Sequence, residues 1–370
     1  MPEQRSTRAC VFQFCTKYSA PLFHERTTKR FAKMATAGAL LSQDPTNEIY
    51  DTGYTSSTDK PWAQAYPSVP KQRLKVHTTI DASGTTHVDF DTALIPLQAD
   101  DERRLNEAAQ APNERYWRLD TEADIEHWWH TEVSDVVMAA WARYPRIVQT
   151  SHTGPPSVNV PESVDCTYAT YMSNQRVPVL IGEMKRNFIK PRQWLARELN
   201  EGQVKLAREL RGFVLQYHQA HTLTPPADRF RYAHKYETPQ IFCWDGQTLL
   251  MLQFRARKAA HIRDADCDID CWVIPRQGSS STLRNALYRF MVQGLRRVQG
   301  NNTAGALMVG SLTEHSRQFF TGRPVWKAGD VSQIRHPEDY YRVVDAETGA
   351  LKWVLYEEDP NGVWETGRFW

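Results

Sequence analysis

The sequence predicts an α/β fold in which a mixed central sheet is flanked by helices. A disordered N-terminal arm precedes this core, and a β-containing C-terminal extension follows it. Three observations carry the prediction. Strand-length apolar runs recur at "ESVDCTYATYM", "VPVLIGEMK", "PQIFCWDGQTLLMLQFRA" and "DIDCWVIPR". Helical periods interleave with them, in the order helix, strand, strand, strand, helix, strand, strand, which defines a mixed core over about residues 115–300. Outside that span the periodicity fades into Thr, Ser, Lys and turn residues.

The chain is divided accordingly into residues 1–65, an arm; 66–114, a hairpin and polar linker; 115–300, the core; and 301–370, an extension of short strands and turns. With 370 residues, 41% hydrophobic and 24% charged, the chain is long enough for one large core or two smaller ones. A mean hydropathy of −0.59 fits polar extensions around it. The formal charge is only +2, so an argument for nucleic-acid binding has to come from local clustering. The six cysteines include no C-x-x-C pair, which speaks against a zinc site or a secreted disulfide framework and for a reducing compartment. No apolar run reaches membrane-span length and no secretory h-region opens the chain. The expected location is intracellular, nuclear or cytoplasmic. The basic segment 1–43 also leaves a mitochondrial transit peptide open, although a solvated basic tail is the plainer reading.

Within residues 73–94 the residues alternate around Ser83-Gly84, predicting a hairpin, and "QADDERRLNEAAQAPNER" follows as a polar linker. The stretch "TEADIEHWWHTEVSDVVMAAWARYP" predicts one helix. Thr121 and Asp124 form a capping box, Ile125, Trp128, Trp129, Val133, Val136, Val137 and Trp141 form its apolar face, and Pro145 ends it. Two strands joined at "SNQR" come next, then a long amphipathic helix from about Pro191 to Gln219. Asp245-Gly246 marks a second hairpin, and "STLRNALYRFMVQGLRRVQ" a capped, basic amphipathic helix.

The chemistry concentrates at the first of these hairpins. Glu183 and Lys185 stand two apart at the end of an apolar strand, so they share a face. A turn centred on Asn174 and Gln175 places Asp165 opposite Met184, and a shift of one residue brings Asp165, Glu183 and Lys185 onto one side. Two close carboxylates suit a hard divalent cation. A nearby ammonium suits an attacking water or the developing phosphoryl charge. The ordinary alternative is an exposed ion pair worth about 1 kcal/mol at most.

This pattern resembles the PD-(D/E)XK nuclease superfamily, the restriction-endonuclease-like fold, and is close to the PD-(D/E)XK nuclease-like domain of fungal proteins. The likeness spans roughly residues 120–275. It implies a metal-dependent nuclease that hydrolyses phosphodiester bonds of DNA or RNA with Mg²⁺ or Mn²⁺. Asp165 and Glu183 would be the metal ligands and Lys185 the water-orienting or charge-stabilising group, with Glu126 and Gln203 auxiliary. Two positions depart from the pattern: Pro161 lies four residues before Asp165, and Ala207 stands where a Q-x-x-x-Y motif has Tyr. The alternative is a nuclease-like module that binds nucleic acid or protein without turnover.

Basic residues around the long helix, among them Arg186, Lys190, Arg192 and Lys205, are the expected phosphate contacts. Ordinary solvation with i, i+4 pairs such as Glu201–Lys205 is the competing reading. His127 and His130 read as core and rim rather than metal ligands. Asp264, Asp266, Asp268 and Asp270 alternate, which reads as a charged sheet edge. Most of the 12 tryptophans lie in apolar patterns and are expected in the core rather than under bases.

Overall fold

A computed structural model describes residues 34–57, 60–143, 147–153, 164–172, 174–220 and 238–369. Seven strands form one mixed sheet: β1 (Leu74–Val76), β2 (Val148–Thr153), β3 (Val164–Met172), β4 (Gln175–Met184), β5 (Gln240–Trp244), β6 (Thr248–Phe254) and β7 (Ile269–Pro275). Their spatial order is β1-β7-β6-β5-β4-β3-β2. The β4–β5 and β7–β1 pairs are parallel and the others antiparallel. The fold is therefore mixed α/β, with helices on both faces of the sheet.

Every residue of β5 and β6 is buried, which their unbroken apolar runs require of strands covered on both sides. Successive residues of β5 alternate between two cores. Phe242 and Trp244 join Trp128, Trp129 and Trp272 on one face, while Ile241 and Cys243 join Leu206, Leu210 and Phe213 on the other. Trp128 stacks on Trp244 at 5.1 Å and Trp129 on Phe242 at 5.0 Å. These rings are core, as expected.

The helices are α1 (Ala37–Leu41), α2 (Ala99–Leu105), α3 (Glu122–Trp129), α4 (Asp135–Ala139), α5 (Pro191–Ala196), α6 (Glu201–Ala220) and α7 (Leu283–Asn301). The capping box at Thr121 and Asp124 is present. The single helix expected after it is interrupted by a π turn at His130–Ser134. That extra residue turns both Glu132 and Val133 inward, where Glu132 accepts from Trp117 Nε1 and Asn47 Nδ2 at 2.7 Å each. The helix expected from Pro191 likewise divides: Arg197 adopts φ +57° after α5, and the Asn200 side chain caps α6.

Three further expectations are corrected. The arm expected to be disordered to residue 65 carries α1 and a strand at Ile49–Asp51, because Ala37, Leu40 and Leu41 bury in the main core. Residues 1–33 lie outside the described residues. The polar linker contains α2, whose Asp100 and Asp101 bury against Arg104, Arg296 and Tyr288. The acidic run is not a bare sheet edge. Of its four aspartates only Asp270 lies in β7, and β1 covers that strand, so that Asp268 meets Lys75 at 2.7 Å and Asp270 meets His77 at 2.9 Å.

All three expected hairpins form, β3 pairing with β4 after Met172. Thr78–Ile80 pairs with Thr86–Val88 around Gly84, and β5 pairs with β6 around Asp245-Gly246. Gly246 takes φ +91°, and a Cβ there would meet Ile125. The last segment, from Met308 onward, consists of short strands in small sheets. The segment of α7 reads in sequence as a basic amphipathic helix. Arg284, Arg296 and Arg297 are instead buried, each bonding to backbone carbonyls.

Candidate active site

The β3–β4 hairpin decides which side chains meet. Its turn lies at Asn174, in the left-handed region at φ +62°, so the first pairs are Gln175↔Met172 and Arg176↔Tyr171. The register then slips by one residue between Pro178 and Leu180, and the pairing ends with Gly182↔Cys166. A proline cannot donate to the ladder, which is the local reason for a bulge at this point. Two neighbours hold the bulge. The Pro178 carbonyl accepts from Arg297 Nη2 at 2.7 Å and Thr238 Oγ1 at 3.2 Å. Gly294 of α7 lies so close that a Cβ on it would come within 2.1 Å of the Val179 carbonyl oxygen.

Continuing that register sets Asp165 across from Glu183, on the sheet face that α6 covers. The turn lies one residue earlier than the sequence placed it, a register that by itself would set Asp165 opposite Gly182 rather than Met184, and the bulge then moves Asp165 to face Glu183. Asp165 Oδ2 accepts from the Met184 N–H at 2.7 Å. Lys185 continues β4, its N–H donating to the Trp244 carbonyl at 2.9 Å, and its Nζ lies 2.6 Å from Glu183 Oε1. Gly182 admits the Phe242 ring directly against the backbone, where any Cβ would clash at 2.2 Å. Asp165, Glu183 and Lys185 are brought together.

A further carboxylate, which the sequence analysis did not single out, joins them. Glu209 of α6 is fully buried, and its Oε1 lies 3.1 Å from Lys185 Nζ. The available signal was its phase: Leu206, Glu209 and Phe213 follow one another along the buried stripe of an amphipathic helix. A carboxylate on such a stripe demands a partner.

Charge in the cluster is unbalanced. Burial pushes the Glu183 carboxyl well above the usual carboxylate range, and the negative charge of Asp165 adds to this, against the pull of Lys185. Asp165 is also raised, by burial first; the Met184 N–H and Lys185 oppose the shift, while Glu126 and Glu122 reinforce it. Burial alone would lower Lys185, but Glu183 and Glu209 overcome it and hold the ammonium charged. Glu183 Oε2 and both Glu209 carboxylate oxygens are buried with no hydrogen-bond partner, so that Glu209 meets Lys185 as an ion pair only.

The other expected site residues are placed differently. Glu126 projects from α3, which packs on the opposite face; it contacts His130 Nε2 at 3.2 Å and is felt electrostatically by Asp165. His130 also meets Ser151 Oγ at 2.9 Å, and His127 lies edge-on to Trp117. Gln203 does not reach toward the cluster. Its Oε1 accepts from Trp194 Nε1 at 2.6 Å and the Lys190 N–H at 3.1 Å, and its Nε2 donates to the Phe188 carbonyl at 3.0 Å. It fastens the loop that leaves β4.

Arg186, expected at a phosphate, is a correction. Its guanidinium is fully buried, donating to the Asp51 carboxylate and to Thr52 Oγ1. Lys190 and Arg192 are exposed around the start of α5, and Lys205 is half-buried with its ammonium 3.1 Å from Glu201.

Among the described residues no group of three or more His, Cys, Asp or Glu side chains is arranged to hold a metal ion. A two-carboxylate site remains compatible with Mg²⁺, which keeps several of its waters. Asp165 and Glu183 supply hard oxygens, and the orphaned Glu183 Oε2 is a lone pair that such an ion would satisfy. Among the described residues no helix is long and apolar enough to cross a membrane. Comparison with protein-family models, with curated proteins and with solved structures returns no match.

Proposed function

We propose that the protein is a divalent-cation-dependent nuclease built on a restriction-endonuclease-like core, with DNA or RNA as its substrate. One observation carries this reading. A bulged register sets Asp165 opposite Glu183, and leaves a buried Glu183 oxygen unpartnered beside a charged Lys185. Buried carboxylates in excess of buried ammonium are stable only with a further positive charge or a proton.

In this reading Asp165 and Glu183 hold Mg²⁺ or Mn²⁺. The bound cation supplies a water of lowered pKa and offsets charge on the phosphoryl group. Lys185 keeps its proton and orients the attacking water or stabilises charge on the non-bridging oxygens. Glu126 tunes Asp165 from the far helix, and Gln203 holds the loop after β4 in place. Lys190, Arg192 and Lys205 remain as candidate phosphate contacts, and their effect would weaken with salt.

The test is cleavage of single- and double-stranded DNA and RNA with Mg²⁺, Mn²⁺ or EDTA, beside an Asp165→Ala/Glu183→Ala variant. Cation-dependent cleavage lost in the variant is the expected result. Absence of cleavage with every substrate and cation would overturn the reading in favour of a binding module without turnover.

A further inference from the structure

Lys185 stands between two carboxylates supplied by different layers of the fold. Its Nζ is 2.6 Å from Glu183 Oε1, on the sheet, and 3.1 Å from Glu209 Oε1, on α6. Glu183 and Lys185 are each 3% exposed and Glu209 is 0% exposed, so water cannot share the work of screening them. The second oxygen of Glu183 and both oxygens of Glu209 have no hydrogen-bond partner. A single ammonium therefore serves two buried carboxylates and satisfies neither fully. Its three N–H donors allow it to favour one acceptor over the other by a small displacement.

We infer that Glu209 is a positioning residue that receives Lys185 when Glu183 engages a divalent cation. This rests on the reading of Asp165 and Glu183 as the cation-binding pair. Charge pairing gives the reason. With Lys185 drawn to Glu209, those two form a closed buried ion pair, and both oxygens of Glu183 face the cation together with Asp165. No charge in the cluster is then left uncompensated. With Lys185 held on Glu183, the ammonium competes with any incoming cation for the same carboxylate.

The surroundings of Glu209 permit the exchange. A cavity of about 420 Å³ lies along this part of α6, lined by Glu209, Arg208, Lys205, Gln64 and Lys60 among others. Neither Glu209 oxygen has a hydrogen-bond partner, so no other donor holds the carboxylate against a small movement toward Lys185.

The test is Mn²⁺ binding by calorimetry to the wild type, Glu209→Gln, Lys185→Met and the Lys185→Met/Glu209→Gln double variant. Glu209→Gln should bind Mn²⁺ about tenfold more weakly, because Lys185 then has only Glu183 to pair with. Lys185→Met should bind at least as tightly as wild type. The double variant should recover to within about threefold of wild type, since the competitor is gone. A merely structural role for Glu209 predicts no such recovery. Wild-type affinity in Glu209→Gln, or a double variant as weak as Glu209→Gln, would overturn the inference. Should Glu209→Gln not fold, Lys185→Met alone decides, and weaker binding there overturns it. If the wild-type protein itself binds no Mn²⁺, the cation reading of Asp165 and Glu183 falls as well, an outcome distinct from the others.

Discussion

Glu183 and Gln203 are both buried polar side chains, and they differ in what satisfies them. Gln203 meets two donors and one acceptor, all in the loop of residues 188–194. Glu183 meets one ammonium and leaves an oxygen unmet. The first arrangement stabilises the fold, while the second costs stability and is the kind retained for function. Substitutions should separate the two. Gln203→Leu is expected to lower unfolding stability by about 2 kcal/mol or more, leaving buried donors without acceptors, yet to keep any stabilisation by Mn²⁺. Glu183→Gln is expected to lose that stabilisation, which for the wild type reaches about 2.7 kcal/mol at a hundredfold excess over Kd. Thermal melts with and without Mn²⁺ check both.

The β3–β4 hairpin is the element on which the candidate site depends, and it depends in turn on α7. Had the pairing kept the register in which it begins, Asp165 and Glu183 would not lie opposite one another. Pro178 interrupts the ladder, Arg297 and Thr238 take up its carbonyl, and Gly294 leaves room for the Val179 backbone. Gly294→Ala must push α7 away from the sheet or straighten the bulge. It is expected to cost about 2 kcal/mol as overpacking. On the proposed nuclease reading it should also reduce cleavage, although residue 294 touches no site side chain. Arg297→Met, which withdraws the donor while leaving space, should reduce activity with a smaller loss of stability. Equal activity per folded molecule in both variants and wild type would show that the bulge does not position the site.

Across the whole molecule, half-buried arginines gathered on one buried carboxylate help tie the last segment to the core. Glu365 accepts from Arg317 at 2.6 Å, from Arg342 at 2.6 and 2.8 Å and from Trp353 Nε1 at 2.7 Å, and Arg317 also donates to the Gly300 carbonyl near the end of α7. Burial alone would raise the Glu365 carboxyl, but Arg342 and Arg317 outweigh it and hold it below its ordinary value of 4.5. A lowered folded value means that the stabilisation is present above 4.5 and is lost as pH falls through the folded value. Glu365→Gln should therefore be about 2 kcal/mol less stable than wild type at pH 7, because the half-buried Arg342 loses its counter-charge and Arg317 keeps only Glu314. The gap should close as the pH drops below 4.5. Urea unfolding of both proteins across that range is the measurement, and a pH-independent gap would show the pair to be irrelevant to acid stability.

The sequence by itself determined the central strands, the capping box at Thr121, the turns at Ser83-Gly84 and Asp245-Gly246 and the juxtaposition of Glu183 with Lys185. Each of these follows from local periodicity or turn chemistry, which neighbouring residues control. It also narrowed the pairing of Asp165 to within one residue. Only the tertiary structure chose that last residue, because the bulge is held by Arg297 and Gly294, more than a hundred positions away in the chain. The same holds where the reading of charge failed. Arg186, Glu209 and the arginines of α7 look solvated in sequence, but each is buried beside an opposite charge or a carbonyl. Burial of a charged side chain depends on a partner brought by another layer of the fold, and no local pattern encodes that.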